Sequence, residues 1–370
     1  MELKKLVTIV GARPQFVKAA VISRLVRDEY PFIDEVMIHT GQHFDENMSD
    51  IFFEELEIGQ PKYALDINNS SHGEMIGKMI VEIEKILVKE KPACVVVYGD
   101  TNSTLAGGIA AKKLNIPIAH IEAGVRNYDE RMPEESNRYL VDRLAELNFC
   151  CTQLGYSNLV KEGYDLAKLQ KSVSVVGDLM FDAAVFESMK DNKRSKICKE
   201  ILNQHSDYVL VTVHRASNTD EKKVLEAIVS DLNRIHADTN VVMLTHPRTR
   251  AKLQKFNIKV DFELLEPLGY FDTLELIKNA SMVITDSGGL IREAYFFGIK
   301  GLLMLANPLW PELVEAGVCV NVAPEVGAVY NHYKYFSMVN VPWVSGLFGD
   351  GDAGEKIMIE IDNYINGYPK

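Results

Sequence analysis

Apolar, β-rich runs alternate with segments of helical spacing along almost the whole chain, and they do so in two successive series. The first series is Leu6–Val10, Glu35–His39, Cys94–Tyr98, Ile116–Ile121, Leu147–Cys150 and Val173–Val176. The second is Tyr208–Val213, Val241–Leu244, Phe262–Leu264, Met282–Thr285, Gly301–Leu305 and Val318–Val322. Several are apolar on both faces, as strands covered by helices on both sides should be. Between them, Gly73–Glu90 sets Met75, Ile76, Met79, Ile80, Ile83, Ile86 and Leu87 on one helical face. Two rounds of strand–helix alternation predict an α/β chain of two doubly wound, Rossmann-like domains. At 370 residues, two cores are also what chain length favours. The highly charged stretch inside Gly177–Ser206 marks the boundary. The expected division is 1–180 for the first domain, 181–350 for the second, and 351–370 for a C-terminal helix.

Charged residues stand where these strands would end. In open α/β sheets, ligands bind beyond the carboxyl ends of strands. Asp100 follows Val95-Val96-Val97-Tyr98-Gly99, Glu122 follows Ile118-Ala119-His120-Ile121, and His214 follows Val211-Thr212-Val213. Glu134 and Arg138 lie four apart and would share a helix face. Three carboxylates gathered from separate connections would have their pKa values pushed apart, which separates acid from base.

Two turns read as anion sites. Gly11-Ala12-Arg13-Pro14-Gln15 closes the first strand and opens a helix, where free N–H groups attract phosphate and Arg13 and Lys18 add positive charge. The alternative there is an ordinary turn with exposed cations. In Thr285-Asp286-Ser287-Gly288-Gly289, two glycines let backbone approach a diphosphate, Ser287 can donate, and Glu293 could accept from a ribose. The alternative is a helix cap alone. His214-Arg215 and His246-Pro247-Arg248 stand at equivalent strand ends and look like further anion contacts. His39 and His43 straddle a strand end and a glycine, so a zinc pair is not expected. With no G-x-G-x-x-G, Walker A, G-x-S-x-G or H-E-x-x-H sequence, the chemistry is expected to use side chains, with no cofactor and no metal.

A net charge of −12 argues against a nucleic-acid or anionic-membrane partner. No apolar run approaches the ~20 residues of a membrane span. Met1-Glu2-Leu3-Lys4-Lys5 leads into a strand-like run without a signal-peptide core. Cys94, Cys150, Cys151, Cys198 and Cys319 are odd in number and show no C-x-x-C spacing, so buried reduced thiols in a cytoplasmic protein are expected.

Taken together, these segments resemble the non-hydrolysing UDP-N-acetylglucosamine 2-epimerases. The resemblance runs from about Leu6 to Glu355. It rests on the Gly11–Gln15 turn, Thr40-Gly41-Gln42-His43, Gly99-Asp100-Thr101-Asn102-Ser103-Thr104 and His120-Ile121-Glu122-Ala123-Gly124-Val125-Arg126. Met132-Pro133-Glu134-Glu135-Ser136-Asn137-Arg138, Val213-His214-Arg215 and Asp286-Ser287-Gly288-Gly289 complete it. It implies the GT-B arrangement, with substrate in an interdomain cleft and Glu355–Tyr364 as the helix crossing back. It also implies UDP-sugar epimerisation at C2, through elimination and re-addition of UDP, for surface-polysaccharide precursors, with a cytoplasmic homodimer as the expected form. By resemblance, Asp100, Glu122 and Glu134 are the carboxylates of that step and His214 assists the diphosphate. Arg13, Lys18 and Arg138 would hold phosphates, as would Ser287, Gly288 and Gly289, while Glu293 takes the ribose, Phe271 the uracil and His246 a further anion contact. Gln42 and His43 fall in a region the family links to activation by UDP-N-acetylglucosamine.

The chain departs from the family pattern at two places. Where the family carries Arg-x-x-Thr-Glu-Arg-Pro-Glu, this chain has Leu305-Ala306-Asn307-Pro308-Leu309-Trp310-Pro311-Glu312, and Tyr295-Phe296-Phe297 replaces smaller residues. Both changes resemble the branch that epimerises UDP-2,3-diacetamido-2,3-dideoxy-glucuronate. Two other classes compete: a GT-B glycosyltransferase, which would need an acceptor groove, and a non-catalytic sugar-nucleotide sensor, which would not need three carboxylates.

Overall fold

The computed structural model of the protein describes residues 3–42, 53, 56–68, 70–164, 171–188, 195–305 and 307–367. It forms two compact units, Met1–Phe186 with Gly346–Lys370, and Glu187–Ser345.

The first unit contains β1 (Lys4–Val10), β2 (Ile33–His39), β3 (Tyr63–Ala64), β4 (Cys94–Tyr98), β5 (Ile118–Ile121), β6 (Leu147–Cys150) and β7 (Ser172–Val175). They pair in the order β3-β2-β1-β4-β5-β6-β7, all parallel. The six expected strands are present. The two-residue edge strand β3 carries no apolar run that could announce it. β4 is buried at all five positions, as its unbroken Cys-Val-Val-Val-Tyr requires. The helix His72–Glu90 is capped by the Ser71 hydroxyl and ends in a left-handed Lys91. Its Met79, Ile83 and Leu87 pack with Val7, Ile9, Val95 and Val97 of the sheet. Full burial of each such side chain stabilises the fold by ~1.5–3 kcal/mol.

The second unit contains β8 (Tyr208–Thr212), β9 (Asn240–Leu244), β10 (Glu263–Leu265), β11 (Met282–Thr285), β12 (Gly301–Leu303) and β13 (Cys319–Asn321). Their order is β10-β9-β8-β11-β12-β13, again all parallel. Leu225, Ile228, Leu232 and Ile235 of the helix Lys222–Asp238 close one face over Val209, Val211, Met243 and Ile284.

In each sheet the strand order reverses once, between β1 and β4 and between β8 and β11. A crevice opens beyond the strand ends at such a switch point. Gly11–Arg13 and Asp100 follow the first pair; His214 and Asp286–Gly289 follow the second.

The units divide at 186/187 and 345/346, against the 180/181 and 350/351 expected from composition. At the first crossing, the Arg24 guanidinium lies 3.9 Å over the ring of Phe186, in the helix Leu179–Ser188, and ties that helix to the first unit. The helix Ala353–Asn366 packs on the helix Arg13–Glu29. A Cβ at Gly354 would stand 2.7 Å from Val21 and 2.8 Å from Leu25, which is why glycine sits there. The Gly354 N–H donates to Asp182 at 2.7 Å.

Burial pushes the Asp182 carboxyl up to about 6 despite that bond. An acid whose folded pKa is raised favours the native state most below its unfolded value near 3.9, and the advantage is lost as pH rises through about 6. Asp182→Asn is therefore expected to flatten the stability–pH curve between about pH 4 and 6, and to be worth on the order of 2 kcal/mol at neutral pH if the amide oxygen keeps the Gly354 bond. Urea unfolding at a series of pH values reads this, and an unchanged curve would refute it.

All five cysteines are buried and none is in a disulfide. Burial pushes the Cys94 and Cys319 thiols up to about 12, so neither is poised as a nucleophile. Among the described residues, no helix is long and apolar enough to cross a membrane.

Candidate active site

At the β1/β4 switch point, Gln15 ties two turns together. Its Oε1 accepts from the Gly11 and Ala12 N–H groups at 2.8 and 3.0 Å. Its Nε2 donates to the Tyr98 carbonyl at 2.7 Å and to the Thr101 and Thr104 hydroxyls. Gly11 is packed so closely by the Thr40 and Ser103 hydroxyls that no Cβ fits. The first turn thus differs from the phosphate cradle expected. Two of its N–H donors are already satisfied, and its glycine serves internal packing. Arg13, the first residue of the helix, is exposed there.

Asp100 follows Gly99, whose φ of +62° makes the turn. Arg138 grips the Asp100 carboxylate, with Nε at 2.9 Å and Nη2 at 2.6 Å on one oxygen, and Asn137 donates to the Asp100 carbonyl at 2.8 Å. The remaining Arg138 donor meets Glu135 at 2.5 Å. Glu134 and Arg138 lie four apart on one helix, as expected, and the guanidinium turns to Glu135 and Asp100. Glu134, in the first turn of the helix Pro133–Leu144, has no hydrogen-bond partner among the described residues and is half-buried.

Glu122 sits at the end of β5 with φ +72°, a left-handed backbone uncommon outside glycine and often found at functional sites. Its carboxylate forms a buried ion pair with Lys18. Burial raises the Asp100 pKa, and the Glu122 charge raises it further, against the pull of Arg138 and Lys18. The first unit therefore brings Asp100, Glu122, Lys18 and Arg138 into one electrostatic cluster. Gln42 accepts from the Ser103 N–H at 3.1 Å and its hydroxyl at 2.8 Å, while His43 lies outside the described residues.

One trio in this unit offers metal donors. Glu122, Cys151 and Asp178 bring a ligand atom each within 4.8 Å of one another. Lys18 already neutralises Glu122, so a cation there would face the ammonium. The trio suits a metal poorly.

At the β8/β11 switch point the organising residue is Asp286, fully buried. It accepts from the backbone N–H groups of His214 and Arg215 at 3.0 and 2.9 Å, from Asn218 at 3.0 Å, and from the His214 ring at 3.0 Å. These donors hold its carboxyl below the ordinary range, the His214 ring foremost, against the opposing effect of burial. The His214 and His246 ring centres lie 6.4 Å apart, and His246 caps the helix Pro247–Phe256. Ser287 caps the helix Gly288–Phe296, on which Glu293 is buried. Phe271 stands in the first turn of the helix Tyr270–Asn279. Neither departure from the family pattern adds a charged group here. Trp310 is buried, with Arg292 4.6 Å from its ring, and Tyr295 stacks on Trp343 at 5.1 Å.

A Cβ at Gly288 or Gly289 would meet its first neighbours at 3.5 and 3.7 Å, which is ordinary contact, and neither has positive φ. The fold does not demand glycine at either position, which leaves room for the close ligand approach expected from the sequence. Gly289→Ala is expected to leave stability unchanged or raise it by ~0.5–1 kcal/mol, while weakening UDP binding. Calorimetry with UDP beside thermal unfolding separates the two effects, and unaltered UDP affinity would remove the reading.

The protein thus has two parallel α/β units, one with clustered acids and cations and one with a glycine-bearing helix start beyond the strand ends, where such folds place ligands. The family model described as UDP-N-acetylglucosamine 2-epimerase matches residues 27–362. A Pseudomonas aeruginosa UDP-2,3-diacetamido-2,3-dideoxy-D-glucuronate 2-epimerase is 42% identical over 354 residues, covering 95% of this chain and 98% of that one. A Methanocaldococcus jannaschii UDP-N-acetylglucosamine 2-epimerase is 38% identical over 96% of this chain and 98% of its own. The crystal structure of the Methanocaldococcus jannaschii enzyme with UDP-GlcNAc and UDP matches with a TM-score of 0.86 at 38% identity, covering 97% of this chain and 99% of that one. The Neisseria meningitidis enzyme bound to UDP-GlcNAc matches at 0.84 and 27% identity, over 97% of this chain and 100% of its own. The chain belongs to the UDP-N-acetylglucosamine 2-epimerase family, with its GT-B-like fold, and is an epimerase.

Proposed function

We propose that this enzyme interconverts UDP-N-acetylglucosamine and UDP-N-acetylmannosamine at C2, as a cytoplasmic homodimer supplying surface-polysaccharide precursors. The observation that carries the reading is the placement of Asp100, backed by Arg138, at the β1/β4 switch point and of Glu122, backed by Lys18, at the end of the neighbouring β5. The C2 hydrogen of the sugar is too weakly acidic for simple deprotonation. A carboxylate takes it as a proton, the C2–H bonding pair forms the C1–C2 double bond of a 2-acetamidoglucal, and the C1–O pair leaves with UDP. UDP then adds back to C1 while a carboxylic acid delivers a proton to the opposite face of C2. Glu134 is the third carboxylate of this set. In the second unit, His214, His246, Ser287, Gly288 and Gly289 hold the diphosphate, Glu293 the ribose and Phe271 the uracil. Arg13, Lys18 and Arg138 contribute positive charge from the first unit, and Gln42 and His43 belong to a regulatory contact. Five buried cysteines with no disulfide among them support a reducing compartment.

In deuterated buffer, product formed from UDP-N-acetylglucosamine is expected to carry deuterium at C2, read by proton NMR. Epimerised product with full C2 protium would overturn elimination and re-addition.

A second substrate is favoured by two specific observations. The Pseudomonas aeruginosa relative, 42% identical, is named for UDP-2,3-diacetamido-2,3-dideoxy-D-glucuronate. Against the Gly288 position lie Leu309 and Trp310 of the 305–312 segment, which departs from the family pattern. The same NMR assay run on both sugars decides between them by their kcat/KM ratio, and light scattering reads the homodimer.

A further inference from the structure

His120 is fully buried on β5 and has no part in the proton transfer just proposed. Its two ring nitrogens face two acceptors. Nδ1 lies 2.7 Å from the Asp142 carboxylate, and Nε2 lies 2.7 Å from the Gly99 carbonyl oxygen. Neither partner has a proton to give: one is an ionised carboxylate and the other a peptide carbonyl. Burial disfavours the charged Asp142, but the His120 and Arg126 contacts prevail and keep its pKa low. Asp142 is itself held by Arg126 at 2.8 Å, and Arg126 is shared with Glu162, also at 2.8 Å. Both hydrogen bonds can form only if the ring donates from both nitrogens.

We infer that His120 is a positioning residue of this site, held as an imidazolium between Asp142 and the Gly99 carbonyl so that the turn presenting Asp100 is fixed. The inference rests on the reading of Asp100 as a group of the C2 proton transfer. Gly99 is then secured at both ends of its backbone, its N–H on the Ile121 carbonyl at 2.8 Å and its carbonyl on the ring. Asp100, the next residue, is held from the other side by Asn137 and Arg138. The ion pairs of Arg126 with Asp142 and Glu162 balance the buried imidazolium, two cations against two carboxylates. A neutral ring would lose one of its two bonds and leave a buried acceptor bare, and the Gly99 turn would be free to shift. Misplacing a reacting carboxylate by about 1 Å can cost on the order of 100-fold in rate.

Nitrogen-15 NMR of the intact enzyme labelled at histidine tests the charge state without any activity assay. One of the nine histidines is expected to show both ring nitrogens protonated at neutral pH, and its signals should vanish in His120→Gln. If His120→Gln does not fold, Asp142→Asn serves instead, and the same histidine should lose one ring proton. A His120 signal with an unprotonated ring nitrogen overturns the inference. His120→Gln should bind UDP as the wild type does and show kcat lowered about 10- to 100-fold with KM within about threefold. Unchanged kcat in a folded variant equally overturns it. A wild-type enzyme that fails to epimerise either sugar would instead sink the functional reading, and the NMR result would stand apart from it.

Discussion

Glu134→Gln is expected to lower kcat by about 10²–10⁴-fold, the usual contribution of a general acid or base, while leaving stability within ~0.5 kcal/mol of wild type. The loss of rate follows from the role proposed for Glu134, and the unchanged stability follows from its surroundings. Glu134 has no hydrogen-bond partner among the described residues, so the amide breaks nothing that holds the fold. It sits in the first turn of the helix that also delivers Asn137 and Arg138 to Asp100. Asp100→Asn and Glu122→Gln should lose kcat by about the same factor, but each also carries a cost to the fold. Glu122→Gln leaves Lys18 buried without its counter-charge, and breaking such a pair typically costs about 3–5 kcal/mol. Asp100→Asn is milder, because Glu135 still neutralises Arg138. At least one of the three variants should release UDP and the glucal, because re-addition stalls after elimination. Steady-state rates, UDP titration and urea unfolding on each variant separate chemistry from folding. If all three kept more than about a tenth of wild-type kcat, far short of the usual acid–base contribution, these carboxylates would not be the reacting groups.

The second large effect belongs to Asp286. Asp286→Ala is expected to destabilise the second unit by about 3–5 kcal/mol, the range for stripping one partner from a buried charged network. Its carboxylate is the common acceptor for the His214 and Arg215 N–H groups and the Asn218 amide, and removing it leaves these buried or half-buried donors unmatched. The same change frees the His214 ring, so UDP affinity should fall together with stability. Asp286→Asn keeps one acceptor oxygen and should lose less of both. A variant that folds with wild-type stability would show that solvent, and not Asp286, can satisfy those donors.

Sequence pattern carried the architecture well because buried parallel strands are nearly continuous apolar runs. Their ends place Asp100 and His214 at the two switch points, and Glu122 one strand further on, without further information. It carried the wiring poorly. Glu134 and Glu135 are adjacent in one helical turn, and spacing alone cannot tell which one Arg138 faces. Asp100, 38 positions earlier, settles it by drawing the guanidinium to its own side. Gln15 looked like one more residue of a phosphate turn, but its Nε2 donates to groups more than 80 positions away at the end of β4 and the start of the next helix. Asp142 carried no signal in the sequence and is fully buried against His120. Each miss has the same physical origin: polar groups far apart in sequence satisfy one another, and composition records neither end of the bond. The glycine signals were half legible, with Gly288 and Gly289 left open by the fold and Gly11 consumed by it.

The first unit is assembled from both ends of the chain, residues 1–186 and 346–370, with the second unit complete in between. During synthesis the second unit can therefore finish folding while the first still waits for its last helix. Until Ala353–Asn366 leaves the ribosome, the groove along Val21 and Leu25 into which Gly354 fits is uncovered, and Asp182 lacks the N–H that meets it. A late frameshift or a C-terminal fusion that hinders this helix would thus damage the unit bearing Asp100 and Glu122, and spare the one translated just before it.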